Sequence, residues 1–486
     1  MLKRILAVIL ILSFLFSFAA SGEAATYKRL QKGSRGDEVR ALQTELKNQG
    51  YYSGKVDGIY GKATVKAVRE FQERNGLKAD GIAGQQTQEK LYALRDASDP
   101  AEKPESRQWG PVKNNQTESE TETAQEDTTS ASAIPEQALS FLQGIQANSG
   151  ASCGTLVLSK NGKVFLIWSF GGADENTCFR IASVTKWITA IGLMTLYDQG
   201  KLDLDKDISS YLGFTVRNPA FPNTPITARM LLNHTSSLSP DASDYHPDWA
   251  RIGKNGYDPV FNESAEPGTV YAYADYNGAL FGCLIEAISR QSVQNYMNQK
   301  VFKPLGLTAA YSPVFLPAGT VCMDLLKKNG SVDISVRKDR NRQYNNKADP
   351  KGNNGYTVGK LYINTASLTR LAQMMYNGGE LDGVRVLRST TVQVMESDQK
   401  LLADSPYGLG TVRLYQFDRG TWYGHQGRYS GLSSNVYYQR ETGITMALVM
   451  NGYDYQLQDN IVMPAVSILR NMQKLEELCL GTSQAD

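Results

Sequence analysis

Apolar residues in the first hundred positions of the chain follow the period of short helices. Between positions 37 and 50, and again between 65 and 76, apolar side chains fall three or four residues apart, which predicts two amphipathic helices. Each stretch is followed by the turn pattern Asp-Gly-x-x-Gly-x-x-Thr, whose threonines, Thr64 and Thr87, are predicted to cap the next helix. This internal repeat indicates a compact all-α bundle of three helices.

From about position 135 the pattern changes to mixed helices and strands. Two β-runs meet at Asn161-Gly162, a strong hairpin signal, and three further β-runs lie near the end of the chain. The predicted helices and strands cover residues 135–147, 155–170, 183–200, 276–290, 420–427, 431–439, 444–450 and 459–475. Strands at both ends of a helical centre predict an α/β (α+β) domain, with one antiparallel sheet flanked by helices, a helical lobe and a cleft between them.

Two segments carry neither pattern. Residues 1–25 combine two basic residues, an apolar run of about 14 residues and small residues up to Ala25, which is the pattern of a signal peptide. The apolar run is short for a membrane span, so no span is expected after cleavage, although an uncleaved anchor is an open alternative.

Residues 94–135 are acidic and rich in Ser, Thr, Gln and Pro, which predicts a disordered linker. The domains are therefore predicted at 27–93 and 136–478.

Composition and charge narrow the classes of protein. An apolar share of 41%, a charged share of 21% and a net charge of +2 fit a soluble globular protein and give no reason to expect a nucleic acid partner. The chain has three histidines, none spaced for metal binding, so we expect no metal and no cofactor.

The five cysteines of the chain are too few for a disulfide framework. Cys283 is predicted to be a core residue, and a pairing of Cys153 with Cys178 stays open.

The candidate chemistry begins at IASVTK, residues 181–186. Ser183 and Lys186 are three residues apart at the predicted start of a helix, so their side chains share one face near its N-terminus. A lysine desolvated against the sheet would lose basicity and could take a proton from the serine. On its own, however, the pair fits an ordinary helix start with a solvated lysine better.

Two more elements accompany this pair. Tyr273 comes just before the predicted helix at 276–290, and His425-Gln426-Gly427 lies on a late β-run. Each has a structural alternative, since Tyr273 could be a core tyrosine and His425 a strand residue without a chemical role.

Residues 27–93 resemble the type 1 peptidoglycan-binding domain. The matching positions include Leu42-Gln43, Phe71-Gln72 and both Asp-Gly turns. Because these positions specify a fold, binding to the cell wall is implied by the resemblance alone, and a spacer domain is the alternative.

Residues 136–475 resemble the serine β-lactamase and DD-peptidase superfamily, and within it the class C β-lactamase-like branch. The superfamily motifs Ser-x-x-Lys, Tyr-x-Asn and Lys- or His-x-Gly correspond, in the same order, to the segments that begin at Ser183, Tyr273 and His425. The stretch LLNHTSSL at 231–238 also matches, and its His234 is expected to be structural.

The resemblance implies a role for each motif residue. Ser183 would be the acylated nucleophile, Lys186 its proton partner, and Tyr273 the base or the proton shuttle to the leaving group. The backbone N–H groups of Ser183 and Arg428 would form the oxyanion hole. Gly427 would let the substrate backbone approach the strand.

The sequence departs from the family pattern at several positions. Asp275 replaces the asparagine of the second motif, so a donating contact to the substrate is lost or reversed in polarity. His425 replaces a lysine; it would line the opposite wall and donate hydrogen bonds, but it supplies no permanent charge for a carboxylate. The side chain of Arg428 could supply that charge by curling over the cleft, and a solvated position on the outer face is the alternative. Ser237 replaces a glycine and is expected to alter only a turn.

We therefore expect a secreted, cell-wall-associated serine hydrolase that works through a serine-acyl intermediate. The resemblance favours a penicillin-binding D-alanyl-D-alanine carboxypeptidase that acts on peptidoglycan stem peptides. The alternatives are an esterase, a D-amino-peptide hydrolase, a β-lactamase, or a slowly acylated penicillin-binding sensor or scaffold without turnover. Peptidoglycan and small peptide or β-lactam substrates are the expected partners.

Overall fold

The structure, a computed structural model, describes residues 28–48, 51–97, 134–240, 260–340, 347–350, 355–399, 406–417 and 419–481. The predicted signal peptide and most of the predicted linker lie outside these residues. The chain divides into two compact units, one within residues 1–124 and one within residues 125–486. Among the described residues, no helix combines the length and the apolar character that a membrane crossing requires.

The secondary structure of the two units is as follows. The first unit contains helices α1 (Asp37–Asn48), α2 (Lys62–Arg74) and α3 (Gln85–Ala97). The helices of the second unit are α4 (Glu136–Ser149), α5 (Val184–Asp198), α6 (Ser209–Leu212), α7 (Ala228–Leu232), α8 (Asp275–Ser289), α9 (Val293–Met297), α10 (Ile334–Arg340), α11 (Tyr356–Gly359), α12 (Thr365–Tyr376), α13 (Ser389–Glu396), α14 (Met463–Arg470) and α15 (Met472–Leu480). Its strands are β1 (Cys153–Lys160), β2 (Lys163–Phe170), β3 (Phe179–Arg180), β4 (Ala309–Ala310), β5 (Tyr362–Ile363), β6 (Glu380–Leu381), β7 (Val384–Arg385), β8 (Val412–Leu414), β9 (Trp422–Tyr429), β10 (Leu432–Gln439), β11 (Ile444–Asn451), β12 (Leu457–Gln458) and β13 (Ile461–Val462).

The first unit is the predicted bundle of three helices. Its core holds the apolar residues that set the helical period, and Val39, Leu42, Leu46, Val68 and Phe71 are fully buried there. Burial of such apolar faces is what stabilises short helices that are marginal in isolation.

Each Asp-Gly turn of this unit is bound by one buried glutamine. The side chain of Gln43 accepts from a backbone N–H of the first turn at 2.8 Å and donates to the hydroxyl of Thr64 at 3.0 Å. Gln72 makes the same two contacts in the second turn, at 2.8 Å and, with Thr87, at 3.0 Å. The predicted capping role of Thr64 is wrong, because Gly61 is the N-cap of α2 and Thr64 lies inside the helix.

The second unit is built on a six-stranded antiparallel sheet in the order β2-β1-β11-β10-β9-β8. Strand β1 pairs with β11, with Cys153 opposite Asn451, so strands from the two ends of this unit lie side by side as predicted. The hairpin at Asn161-Gly162 is confirmed, and both residues have positive φ, 49° and 81°. Two central residues of positive φ give the turn a twist that matches the flanking strands.

Helices cover both faces of this sheet. On one face α4, α14 and α15 pack over apolar side chains such as Leu156, Trp422 and Met446. On the other face α12 lies against β1, β10 and β11, and a helical lobe that includes α5 and α8 continues the core. Strand β9 contacts α5, so the sheet and the helical lobe meet at the start of that helix.

The structure corrects two expectations near the end of the chain. The single helix predicted over 459–475 is two helices, interrupted at Asn471, whose side-chain amide donates to the carbonyl of Ser467 at 2.9 Å. Asp459 and Asn460, both with positive φ, form the turn between β12 and β13 instead. Strand β8 is absent from the prediction because three residues are too few to show a period.

Candidate active site

The turn that carries Ser183 is strained and held from both sides. Ala182 has a φ of 46°, in the left-handed region that is unfavourable for a residue with a Cβ atom. The N–H of Ile181 donates to the carbonyl of Leu361 at 3.0 Å, and the hydroxyl of Ser434 donates to the carbonyl of Ile181 at 2.6 Å. Ser183 then opens α5, where backbone N–H groups have no partner within the helix.

Lys186 lies one turn into α5 and is only 2% exposed. Its Nζ donates to the Oγ of Ser183 at 3.0 Å and to the carbonyl of Val358 at 2.8 Å. It also forms an ion pair with Asp275, at 2.7 Å from Oδ1, and a hydrogen bond with Tyr273. The structure therefore brings together the serine, the lysine, the tyrosine and the aspartate that the motifs singled out.

The expected loss of basicity at Lys186 is wrong. Burial lowers the pKa of this ammonium, but the adjacent Tyr273 and Asp275 outweigh burial, so that its pKa is raised. Lys186 is therefore an ammonium ion in this structure and donates a hydrogen bond to Ser183, and its part in the proton transfer stays a prediction.

The first turn of α8 supplies both a charge partner and room for this lysine. Asp275 is the first residue of the helix. One turn later, a Cβ atom at Gly278 would lie 2.8 Å from the Cγ of Lys186 and about as close to the carbons beyond it. Glycine at this position leaves space for the buried lysine side chain.

Tyr273 precedes α8 and stacks on His234, with ring centroids 4.3 Å apart and an interplanar angle of 26°. The Nδ1 atom of His234 accepts from the backbone N–H of Ala274 at 3.2 Å and lies 2.9 Å from the side-chain amide of Asn277. Burial lowers the pKa of His234 well below its usual value, so the ring is neutral with its proton on Nε2. The signature at 231–238 thus contacts the tyrosine motif directly.

His425 on β9 is buried and neutral. Burial, together with the charge of Lys186, lowers its pKa to about 3. Its Nδ1 lies 2.6 Å from the carbonyl of Gln426, which can only accept, so Nδ1 carries the proton and Nε2 accepts from the hydroxyl of Tyr407 at 3.1 Å. Both ring nitrogens are engaged in this arrangement, and the expected donation of a hydrogen bond from His425 to a substrate stays a prediction.

Tyr407 is a cleft residue that the sequence analysis missed. Its buried ring lies 6.0 Å from that of Tyr273 and 5.8 Å from that of His425. It lies in the short segment before β8, where the sequence shows neither a period nor a motif.

Strand β9 passes against the start of α5 at Gly427. A Cβ atom there would lie 2.8 Å from the backbone nitrogen of Ser183 and 2.4 Å from the carbonyl oxygen of Ile181, so no other residue fits. Within the described residues, the pairing of β8 with β9 stops at Gly424. The edge of β9 beyond Gly424 is therefore not occupied by β8.

Five of the candidate residues line one cleft of about 1000 Å³, namely Ser183, Tyr273, Asp275, His425 and Arg428. Arg428 is exposed and lines the cleft, and its role toward a substrate stays a prediction. Within the part of the chain that the structure describes, no group of three or more His, Cys, Asp or Glu side chains could hold a metal ion.

Arg413 on β8 also lines this cleft and was not singled out by any motif. Its side chain is only 11% exposed, and its Nη1 atom forms an ion pair with Asp398 at 3.4 Å, while its Nε atom is buried without a hydrogen-bond partner. A buried guanidinium with an unused donor is a potential binding group for an anionic part of a ligand.

The chain is similar in sequence to two known families and to several proteins of known name. Residues 140–461, more than half of the chain, match the beta-lactamase family model, and residues 35–91 match that of a peptidoglycan binding domain. Penicillin-binding protein 4 of Amycolatopsis lactamdurans is 28% identical over 295 residues, which cover 57% of this chain and 73% of that protein. The spore cortex-lytic enzyme of Bacillus cereus is 46% identical over 69 residues, 14% of this chain, and the match spans only 27% of that enzyme.

Solved structures show the same fold at low sequence identity. The octameric penicillin-binding protein homologue from Pyrococcus abyssi has a TM-score of 0.53 and 20% identity, with 71% of this chain and 77% of that chain covered. The D-amino acid amidase from Ochrobactrum anthropi SV3 complexed with D-phenylalanine also has a TM-score of 0.53 and 20% identity, with 70% and 99% covered.

The sheet, the helical lobe and the serine at their junction define a serine hydrolase with the β-lactamase fold. The chain belongs to the beta-lactamase family, which confirms the resemblance drawn from the three motifs. The resemblance of its first domain to peptidoglycan-binding domains is confirmed as well. The exact domain boundaries and the roles of single residues stay predictions.

The pKa of His425 predicts a specific pH dependence of stability. Its pKa is about 3 in the folded protein and about 6.5 in the unfolded chain, so its contribution is complete above the unfolded value and is lost as the pH falls toward the folded one. Between about pH 7.5 and pH 5, the free energy of unfolding should fall by about 2 kcal/mol more in the wild type than in His425→Gln. Urea unfolding at both pH values measures this, and parallel losses in the two proteins would contradict it.

Proposed function

We propose that this protein is an exported, cell-wall-associated serine hydrolase that forms an acyl-enzyme at Ser183 and acts as a D-alanyl-D-alanine carboxypeptidase on peptidoglycan stem peptides. The observation that carries the proposal is the 3.0 Å hydrogen bond from the buried ammonium of Lys186 to Ser183 Oγ, at a strained turn on the cleft. The signal-peptide pattern supports export. The peptidoglycan-binding match and the relatives named for penicillin binding and cortex lysis support peptidoglycan as the partner.

In the proposed acylation, Ser183 Oγ bonds to the substrate carbonyl carbon while its proton passes to the side-chain oxygen of Tyr273, which acts as the general base. Lys186 remains an ammonium ion and stabilises the negative charge near both oxygens. The backbone N–H groups of Ser183 and Arg428 bind the developing oxyanion. Tyr273 then returns the proton to the leaving nitrogen as the carbon–nitrogen bond breaks, and water later hydrolyses the ester.

Substrate binding in this proposal uses the edge of β9 beside Gly427. An extended peptide can add to such an edge through backbone hydrogen bonds, and the missing side chain lets it approach closely. Since His425 is neutral, a terminal carboxylate needs another cation. Among the residues that the structure describes, Arg428 and Arg413 are the arginines that line the cleft.

A second candidate function is favoured by Asp275. Its side chain is 40% exposed and lines the cleft at the position where the family motif has an amide. A carboxylate there accepts hydrogen bonds and attracts cations, so it favours substrates with a free α-amino group. The chain would then be a hydrolase for peptides or amides that begin with a D-residue.

Covalent labelling tests the nucleophile. A fluorescent penicillin should add one adduct mass to the wild type and to Ser210→Ala, an exposed serine of α6, and none to Ser183→Ala, because the Oγ atom of Ser183 accepts a hydrogen bond from Lys186. An adduct on Ser183→Ala, located by peptide mapping, would refute the assignment.

Removing the excess fluorescent penicillin and following the adduct over time then distinguishes the peptidase from a sensor, a β-lactamase and an esterase. A persistent adduct supports either the peptidase or a sensor. Of these two, only the peptidase should also hydrolyse a peptide substrate with turnover. Rapid loss of the adduct indicates a β-lactamase, and failure of the wild type to label favours an esterase.

Arg428 provides the test of carboxylate recognition. Arg428→Ala should lower kcat/KM for a peptide ending in D-Ala-D-Ala by the equivalent of roughly 1.5–3 kcal/mol, as expected for a charged hydrogen bond, and lower it far less for the amidated peptide. Arg413→Ala is the matched variant, and a larger selective loss there would move the carboxylate site to β8. Equal losses on both peptides would show that Arg428 is structural.

Asp275→Asn separates the second candidate from the first. Because Asp275 also contacts Lys186, the readout is the ratio of kcat/KM for a D-residue amide with a free amino group to that for its N-acetylated form. A ratio that falls at least tenfold in the variant supports recognition of an ammonium group, and an unchanged ratio contradicts it.

Wall association is tested with the full chain. In the Ser183→Ala background, the protein should co-sediment with purified cell walls, whereas the same protein starting at residue 134 should stay in the supernatant. Equal sedimentation of both would assign binding to the hydrolase domain and make the first domain a spacer.

A further inference from the structure

Cys178 and Cys322 lie opposite each other in a parallel β-bridge. Backbone hydrogen bonds fix this register on both sides. The N–H of Cys178 donates to the carbonyl of Val321 at 2.9 Å, and the N–H of Met323 donates to the carbonyl of Cys178 at 2.9 Å. Backbones paired in this way run about 4.8 Å apart, which falls within the range of Cα separations found in disulfides.

The two thiols also contact each other. The hydrogen bond with the thiol of Cys322, and burial after it, raise the pKa of Cys178, whose sulfur also lies 3.8 Å from the carbonyl oxygen of Thr308. Cys178 is fully buried, whereas Cys322 is half-buried. A reagent in solution therefore reaches the pair through Cys322.

The other cysteines occupy different surroundings. Cys153 lies on β1 beside the side chain of Asn451, at 3.7 Å. Cys283 is buried within α8, as predicted, and Cys479 is half-buried in α15. The pairing of Cys153 with Cys178 that the sequence left open thus has a competitor, since Cys178 faces Cys322.

We propose that Cys178 and Cys322 form a disulfide when the protein meets a disulfide oxidant, such as oxidised glutathione or an oxidised thiol–disulfide oxidoreductase. The thiolate of Cys322 attacks the oxidant disulfide, which releases one thiol and leaves a mixed disulfide. The thiolate of Cys178 then attacks the sulfur of Cys322 and releases the second thiol. The two cysteines lose two protons and two electrons, and the oxidant becomes two thiols.

The position of this bond suggests its effect. Cys178 directly precedes β3, which leads to the strained turn at Ala182 and Ser183. The segment after Cys322 is attached to the sheet, because the side chain of Asn451 donates to the carbonyl of Asp324 at 2.9 Å. A disulfide would fasten the approach to the Ser183 turn to this segment, and it would close a long loop of the chain, for which stabilisation is large.

Thiol counting on the full chain tests the proposal. The protein is treated in its folded state with oxidised glutathione, freed of excess reagent, denatured and alkylated with iodoacetamide. Intact mass should show three alkylated cysteines out of five, and digestion without reduction should yield the Cys178–Cys322 cross-linked peptide. Five alkylated cysteines, a stable glutathione adduct on Cys322, or a Cys153–Cys178 peptide would each overturn it.

Thermal unfolding gives a second readout that does not depend on catalysis. The oxidised wild type should unfold roughly 3–8 °C above the reduced protein. Cys479→Ser should keep this difference, whereas Cys322→Ser should lose it. An equal Tm for oxidised and reduced wild type, with the cross-link present, would overturn the stabilising effect of the bond. Neither measurement uses the proposed hydrolase activity, so failure of one proposal is distinguishable from failure of the other.

Discussion

The ammonium group of Lys186 is the charge around which the candidate active site is arranged. Removing such a group from water costs several kcal/mol unless its charge and its protons are matched. Here Asp275 supplies the opposite charge, while Val358 and Ser183 accept hydrogen bonds. These three contacts hold the ammonium group in place, and its hydrogen bond to Ser183 then orients the serine oxygen. The interactions that stabilise the buried charge therefore also position the nucleophile.

This requirement explains several features of the surrounding fold. Gly278 is small because the lysine side chain occupies the space beside it, and Gly427 is small because β9 crosses the start of α5. The left-handed conformation of Ala182 persists because the backbone on its N-terminal side is bound by two other segments. The strained residue and the two glycines thus lie where the sheet contacts the helical lobe, close to the ammonium group of Lys186.

Features that depend on local sequence could be predicted, and features that depend on long-range contacts could not. The hairpin at Asn161-Gly162 and the helix that starts after Ser183 follow from turn chemistry and periodicity, and both are present. The direction of the pKa shift of Lys186 depends on Tyr273 and Asp275, which lie far away in the sequence, and burial alone gives the wrong sign. Tyr407 could not be found because no motif marks it, and its importance comes only from the rings it contacts in the folded chain.

Pairing Lys186 with Asp275 also limits how the cleft can recognise charge. The ammonium is buried and already neutralised by a carboxylate, and His425 is neutral, so neither provides a full positive charge for a substrate. In the proposed function, a charged group of the substrate is therefore recognised by other residues of the cleft, among which Arg428 is exposed. In that case the residues that carry out the chemical step differ from most of those that select the charge of the substrate. Substitutions among the selecting residues of the cleft could then change the substrate while the serine chemistry is retained. In that proposal Asp275 takes part in both, because it pairs with Lys186 and also lines the cleft, so a change at this position would directly alter the rate of the chemical step.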